Sequence, residues 1–156
     1  MWRLLTEPSG ATYRRLIDYA MGQCLEFCLV LQSPSEASPS ELAALDALLP
    51  HRTEVQRTYR WPGTRVFGSG PKAGVYWHRC SREAGESLVA LSSRLYDWLE
   101  PKLPEDLAFV TTNRQGWLIT VAHEREAWLA DTIDVSDFRA GVPRVTLEHR
   151  PDVKPI

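Results

Sequence analysis

Apolar and polar positions form their clearest pattern between Leu107 and Leu129. Leu107, Phe109 and Thr111 alternate with Ala108 and Val110, and Trp117, Ile119 and Val121 alternate with Leu118, Thr120 and Ala122. Both faces of the two runs are largely apolar, which predicts a pair of central strands covered on both sides. The intervening Thr112-Asn113-Arg114-Gln115-Gly116 supplies Asn113 and Gly116 for backbone angles that β-branched residues resist. From His123 to Leu129 the pattern predicts a helix, with Trp128 and Leu129 turned to the strands and Glu124, Arg125 and Glu126 facing water.

Earlier in the chain, Ser9 is placed to cap a helix carrying Tyr13, Leu16, Ile17, Ala20 and Met21, with Gly22 just past its end. Leu25, Phe27, Leu29 and Leu31 then alternate with Cys24, Glu26, Cys28 and Val30 as a strand. One long helix through residue 31 also fits the period, but Gly22 inside it would cost about 1 kcal/mol. Ser38-Pro39-Ser40-Glu41 has the form of a capping box before a short helix of Leu42, Leu45, Leu48 and Leu49, stopped by Pro50.

Val55, Arg57, Tyr59 and Trp61 are expected on one strand face, ended by Pro62-Gly63. A glycine-rich loop follows, and then a strand in which Val75, Trp77 and Arg79 alternate with Tyr76, His78 and Cys80. Ser81 is expected to cap a helix with a stripe of Leu88, Leu91, Leu95, Trp98 and Leu99, closed by Pro101 and Pro104. The order α-β-α-β-β-α-β-β-α predicts an α+β fold: a single domain over 1–138, with a largely antiparallel sheet of about five strands and helices packed on it. Residues 139–156 read as an extended or loosely ordered tail.

At 156 residues with 44% hydrophobic content, the chain can bury a sizeable core without staples. A net charge of -2 gives no global attraction to nucleic acid or membrane, and no apolar run approaches the roughly 20 residues a membrane span needs. Met1–Pro8 is too short and too soon interrupted for a signal peptide, and three cysteines suggest reduced thiols, so a cytoplasmic location is expected.

Candidate chemistry is sparse. Cys24, Cys28, His78 and Cys80 are zinc-ligand types. Four residues along a strand, however, separate Cys24 from Cys28 by about 13 Å, too far for one ion, and buried structural thiols are the simpler reading. His123 with Glu124 and Glu126 is not an H-E-x-x-H helix, because Ala127 stands where the second histidine belongs. An alternative metal or histidine-based site would draw on His78, Cys80, His123 and Glu124. Gly68-Ser69-Gly70-Pro71-Lys72-Ala73-Gly74 precedes a strand, whereas a phosphate-cradling loop leads into a helix. No G-x-S-x-G elbow occurs. Neither an enzyme nor a cofactor is expected.

Charge is distributed unevenly. Residues 51–82 hold seven basic residues (Arg52, Arg57, Arg60, Arg65, Lys72, Arg79, Arg82) against Glu54 alone, whereas residues 83–137 hold eleven acids and four basic residues. Interleaved aromatics make Arg57, Tyr59, Trp61, Arg65, Trp77 and Arg79 the expected interaction face. Such a face suits an acidic protein partner, and less directly single-stranded nucleic acid. Core aromatics beneath solvated arginines are the plain structural alternative.

The runs Trp61-Pro62-Gly63-Thr64-Arg65, Leu95-Tyr96-Asp97-Trp98-Leu99 and Leu103-Pro104-Glu105-Asp106-Leu107, with Trp117 and then Ala122-His123-Glu124, carry a resemblance. Over roughly two thirds of its length the chain resembles a group of small, soluble, uncharacterised bacterial proteins sometimes labelled stage III sporulation protein. The resemblance implies a bacterial cytoplasmic protein and brings no catalytic residues. The sporulation label implies a membrane anchor, which no apolar run of this sequence is expected to supply, and is not carried over. The expectation is a non-enzymatic module that binds another protein, as an immunity protein or adaptor does. The alternatives are a metal-dependent or histidine-based enzyme, and single-stranded nucleic-acid binding through residues 51–82.

Overall fold

The computed structural model describes residues 1–154. The chain runs β1 (Trp2–Leu4), α1 (Gly10–Gln23), β2 (Glu26–Leu31), α2 (Pro39–Ala47), β3 (Arg52–Thr58), β4 (Arg60–Trp61), β5 (Thr64–Arg65), β6 (Ala73–Arg79) and α3 (Arg82–Leu91). It continues through β7 (Glu105–Val110), β8 (Gly116–Val121), β9 (Glu126–Leu129), α4 (Val135–Gly141) and β10 (Leu147–His149). This is one α+β fold. Eight strands form an antiparallel sheet in the order β10-β1-β9-β8-β7-β2-β6-β3, and β4 pairs with β5 in a separate two-stranded ribbon.

Both faces of the central strands are buried. On one face Phe27, Leu29, Leu107, Phe109, Leu118 and Leu129 pack with Tyr13, Leu16 and Ile17 of α1, Leu88 of α3 and Phe138 of α4. Trp98 belongs to the same cluster, and its indole N–H donates to the Tyr13 hydroxyl at 2.9 Å. On the second face Cys28, Val30, Val75, Trp77, Ala108 and Val110 are covered by Trp61 from the ribbon. The two-sided burial matches the unbroken apolar runs of β2 and β7.

The sheet therefore has eight strands, not about five. Residues 126–129 form strand β9 instead of a helix. Arg125, at φ 55°, ends a short turn over 122–124 in a left-handed conformation, and the chain folds back so that Ile119 lies opposite Trp128 and Thr120 opposite Ala127. Within the expected loose tail, Leu147–His149 pairs with β1 at the sheet edge, Leu4 opposite Leu147 and Trp2 opposite His149. The helix begun at Arg82 ends at Leu91. Leu95 and Trp98 stay buried beyond it on a separate turn.

Gly22 sits inside the last turn of α1, and Cys24 caps that helix. The Ser38 box forms as expected: Glu41 N–H donates to Ser38 Oγ at 3.1 Å and Ser38 N–H to Glu41 Oε1 at 2.9 Å. Among the described residues no helix is long and apolar enough to cross a membrane.

Candidate interaction site

The two-residue turn between β4 and β5 sets the site. Arg60 lies opposite Arg65 and Trp61 opposite Thr64, leaving Pro62 and Gly63 at the corners. Proline fixes φ near -65° at the first corner, and Gly63 takes φ +85° at the second, as a type II turn requires. A Cβ on Gly63 would lie 2.4 Å from Ile119 Cγ2, so the turn rests directly on β8. Trp61 is 3% exposed, and its indole N–H donates to Asp106 Oδ2 at 2.9 Å. The other carboxylate oxygen of Asp106 accepts Ala122 N–H at 2.9 Å. The ribbon is thus pinned to the second face of the sheet at both its aromatic and its turn.

A cavity of about 300 Å³ runs beside the ribbon, lined by Thr58, Arg60, Pro62, Trp77, Arg114 and Ile119 among others. Arg60, Arg114 and Gly116 also line a neighbouring cavity of about 440 Å³ that reaches Trp117 and Asp131, so the two make one trough. Arg114 shapes its wall. Its guanidinium lies 4.0 Å from the centre of the Trp77 ring, its Nε meets Glu26 Oε2 at 3.0 Å, and a terminal nitrogen meets Glu54 Oε2 at 2.6 Å. Burial pushes the Glu26 carboxyl up, but hydrogen bonds from Arg114 and Thr53 more than reverse this and leave it below the usual carboxylate range. The Trp77 indole N–H is occupied by Gln56 Oε1 at 2.9 Å.

Beyond the ribbon the chain projects a basic, aromatic loop. Phe67 is 80% exposed, with the Arg65 guanidinium 5.0 Å from its ring centre. Lys72 lies 5.8 Å from the ring centre of Tyr59, whose hydroxyl donates to the Gly70 carbonyl at 2.7 Å. Arg57, Arg60, Arg65 and Lys72 are all exposed. Among the described residues none of the four has a carboxylate within ion-pair distance.

The expected face is divided by the structure. β3 ends at Thr58, so Arg57 and Trp61 do not share a strand. Gln56, bonded to Trp77, faces the second side of the sheet, and Arg57, opposite Gly74, faces the other. Trp77 and Arg79 do share a face, with Arg79 opposite Glu26. Trp61 and Trp77 are core residues, 3% and 4% exposed, and cannot meet a partner directly. Tyr59 and Arg65 keep their place on the accessible lobe, and Arg57 does not. Arg60, Lys72 and Phe67 join them, and Arg114 joins the trough. Phe67 had a sequence signal, an aromatic beside Gly68-Ser69-Gly70 with no apolar partner at helix or strand spacing. Arg114 had none, because its reach to Glu26 and Glu54 depends on left-handed angles at Asn113 and Arg114.

The four zinc-type residues do not assemble. Cys24 packs in the helix-side cluster and Cys28 in the cluster on the second face, with the sheet between them. Burial pushes both thiols up, and pushes Cys80 up to about 12, so none is a ready thiolate. His78 is fully buried, stacks on Phe27 with ring centres 4.8 Å apart, and among the described residues has no hydrogen-bond partner for either nitrogen. Burial, with Arg52 and His51 nearby, pushes it down to about 4. The second set fails too: His123 lies 3.7 Å from Glu124, but its near neighbours of metal-binding type are Glu105 and Asp106, without His78 or Cys80.

Comparison of the chain with protein-family models, with curated proteins and with solved structures returns no match.

Proposed function

We propose that this protein is a binding module that receives an acidic segment of a partner protein on the lobe formed by Tyr59, Arg60, Arg65, Phe67 and Lys72. The observation that carries the reading is the set of exposed cations Arg60, Arg65 and Lys72, which have no carboxylate within ion-pair distance among the described residues, with Arg65 against the ring of an 80%-exposed phenylalanine. Some cations elsewhere are matched: Arg94 and Arg125 both meet Glu7, Arg3 meets Glu126, and Arg114 meets two glutamates. Arginine and aromatic side chains are the commonest anchors of protein interfaces, and an acidic partner would supply the missing charge. An immunity protein or an adaptor is the kind of non-enzymatic protein such a lobe would serve.

The test is a capture experiment from native lysate, run with and without nuclease, comparing the wild-type chain with a triple variant, Arg60→Glu, Arg65→Glu and Phe67→Ala. All three side chains are exposed, so the melting temperature should not change. The expected result is a partner held by the wild type and lost by the variant, with retention falling as salt rises. Equal capture by both chains would remove the lobe from the argument. Retention that disappears on nuclease treatment would replace the acidic protein with nucleic acid.

A further inference from the structure

Three carboxylates are buried in one region without a basic partner. Glu41 and Glu105 are each 3% exposed and Asp106 is fully buried, and among the described residues none has a lysine or arginine within ion-pair distance. Burying unpaired charge is costly unless something compensates it. Glu105 and Asp106 have one candidate companion, His123, whose side chain is half-exposed at 50%. One ligand atom from each of the three lies within 4.8 Å of the other two.

We propose that Glu105, Asp106 and His123 form a binding site for a divalent transition-metal ion of the zinc or manganese type. Two carboxylate oxygens and an imidazole nitrogen are a donor set that such ions accept, and three protein ligands leave the outer positions to water. Around a tetrahedral ion with bonds of about 2.1 Å, ligand atoms stand about 3.4 Å apart. The three ligand atoms, within 4.8 Å of one another, would have to draw together to reach that spacing, and His123 is the exposed member of the set.

The carboxylates are already oriented by other groups, as metal ligands are. Gln32 Nε2 donates to Glu105 Oε1, while Trp61 and Ala122 each donate to one oxygen of Asp106. Each of those oxygens keeps a lone pair. The left-handed backbone at Asp106, φ 56°, breaks the alternation of β7 and lets two consecutive side chains serve one point.

The test is calorimetric titration of the chelator-treated full chain with zinc chloride and, separately, manganese chloride, with electron paramagnetic resonance following free manganese. The expected result is one ion per chain, weakened at least tenfold by His123→Ala and unchanged by His149→Ala. His149 is exposed and pairs with Asp131, outside the cluster. Glu105→Gln should also abolish binding, and because it removes a buried charge it should raise the melting temperature of the metal-free chain. Failure of both ions to bind at one per chain would overturn the site. So would a His123→Ala chain that binds both ions as the wild type does.

Discussion

The indole N–H of Trp61 and the carboxylate of Asp106 meet at 2.9 Å across 45 positions of sequence, both inside the protein. This bond joins the ribbon to β7, and Trp61 lines the trough beside it. Trp61→Phe keeps most of the apolar cover but removes the donor, and a hydrogen bond to a charged group contributes about 2 kcal/mol. Trp61→Ala also opens a cavity and should cost about 3–5 kcal/mol. Losing the donor raises the Asp106 pKa further, so the Phe variant should lose more stability at pH 7 than at pH 4. Denaturant unfolding at the two pH values measures this; equal losses would mean the bond does not bear on the carboxylate's charge.

Gly63 and Ile119 make the second attachment. A Cβ at Gly63 meets Ile119 Cγ2 at 2.4 Å and must adopt φ +85°. Gly63→Ala should therefore cost about 2 kcal/mol or more, from steric overlap and backbone strain together. Ile119→Ala removes the clashing methyl and leaves the strain. The double variant should lose less than the sum of the single losses by about 1 kcal/mol, a coupling that a double-mutant cycle in urea would read directly.

How much of this was legible follows from which interactions are local. The Ser38–Glu41 box spans four residues and needs nothing from the rest of the chain, so it was readable and it formed. The strands at Leu107 and Trp117 were readable because burial on both faces leaves a long apolar record. Strands β1, β9 and β10 are three or four residues long. Their pairing depends on neighbours far away in sequence, such as Trp2 with His149, so their own residues carry little period.

Trp61 was misplaced because the alternation Arg57-Tyr59-Trp61 continues in sequence past the point where the chain leaves the sheet at Thr58. His123 was readable as a polar residue of interest, but its companions were not. Glu105 and Asp106 reach it through a left-handed residue that no spacing rule anticipates. The basic lobe was legible as composition, and its accessible members only as geometry.

His78 gives the fold a sensitivity to acid. Its folded pKa is about 4 against an ordinary 6.5, so between those values the unfolded chain binds the proton and the folded chain resists it. Stability contributed by the neutral ring is present above pH 6.5 and is lost as pH falls toward 4, by up to about 3 kcal/mol. His78→Leu keeps an apolar side chain against Phe27 and removes two nitrogens that have no hydrogen-bond partner among the described residues, so it should be neutral or mildly stabilising at pH 7. Wild type minus variant, followed by chemical denaturation from pH 7 to 4, should fall steadily. A flat difference would mean that the ring is protonated or solvated in the folded state.

Glu100 acts in the opposite sense over an overlapping range. Its Oε1 accepts Gln32 N–H at 2.9 Å, while burial, aided by Glu105 and Glu41, raises its pKa from 4.5 to about 7. The folded chain therefore holds this proton more tightly than the unfolded one between pH 4.5 and 7, and stability is lost as pH rises through that window. Glu41 Oε2, buried and otherwise without a partner, is the natural acceptor for the Glu100 proton. Glu100→Gln retains an acceptor for Gln32 and an N–H donor toward Glu41, but it never ionises. It should be more stable than wild type at pH 8 and indistinguishable from it at pH 4.5, as read by thermal melting at both. A variant equally stable at both pH values would show that the wild-type carboxyl ionises without cost and that Glu41 is satisfied by solvent.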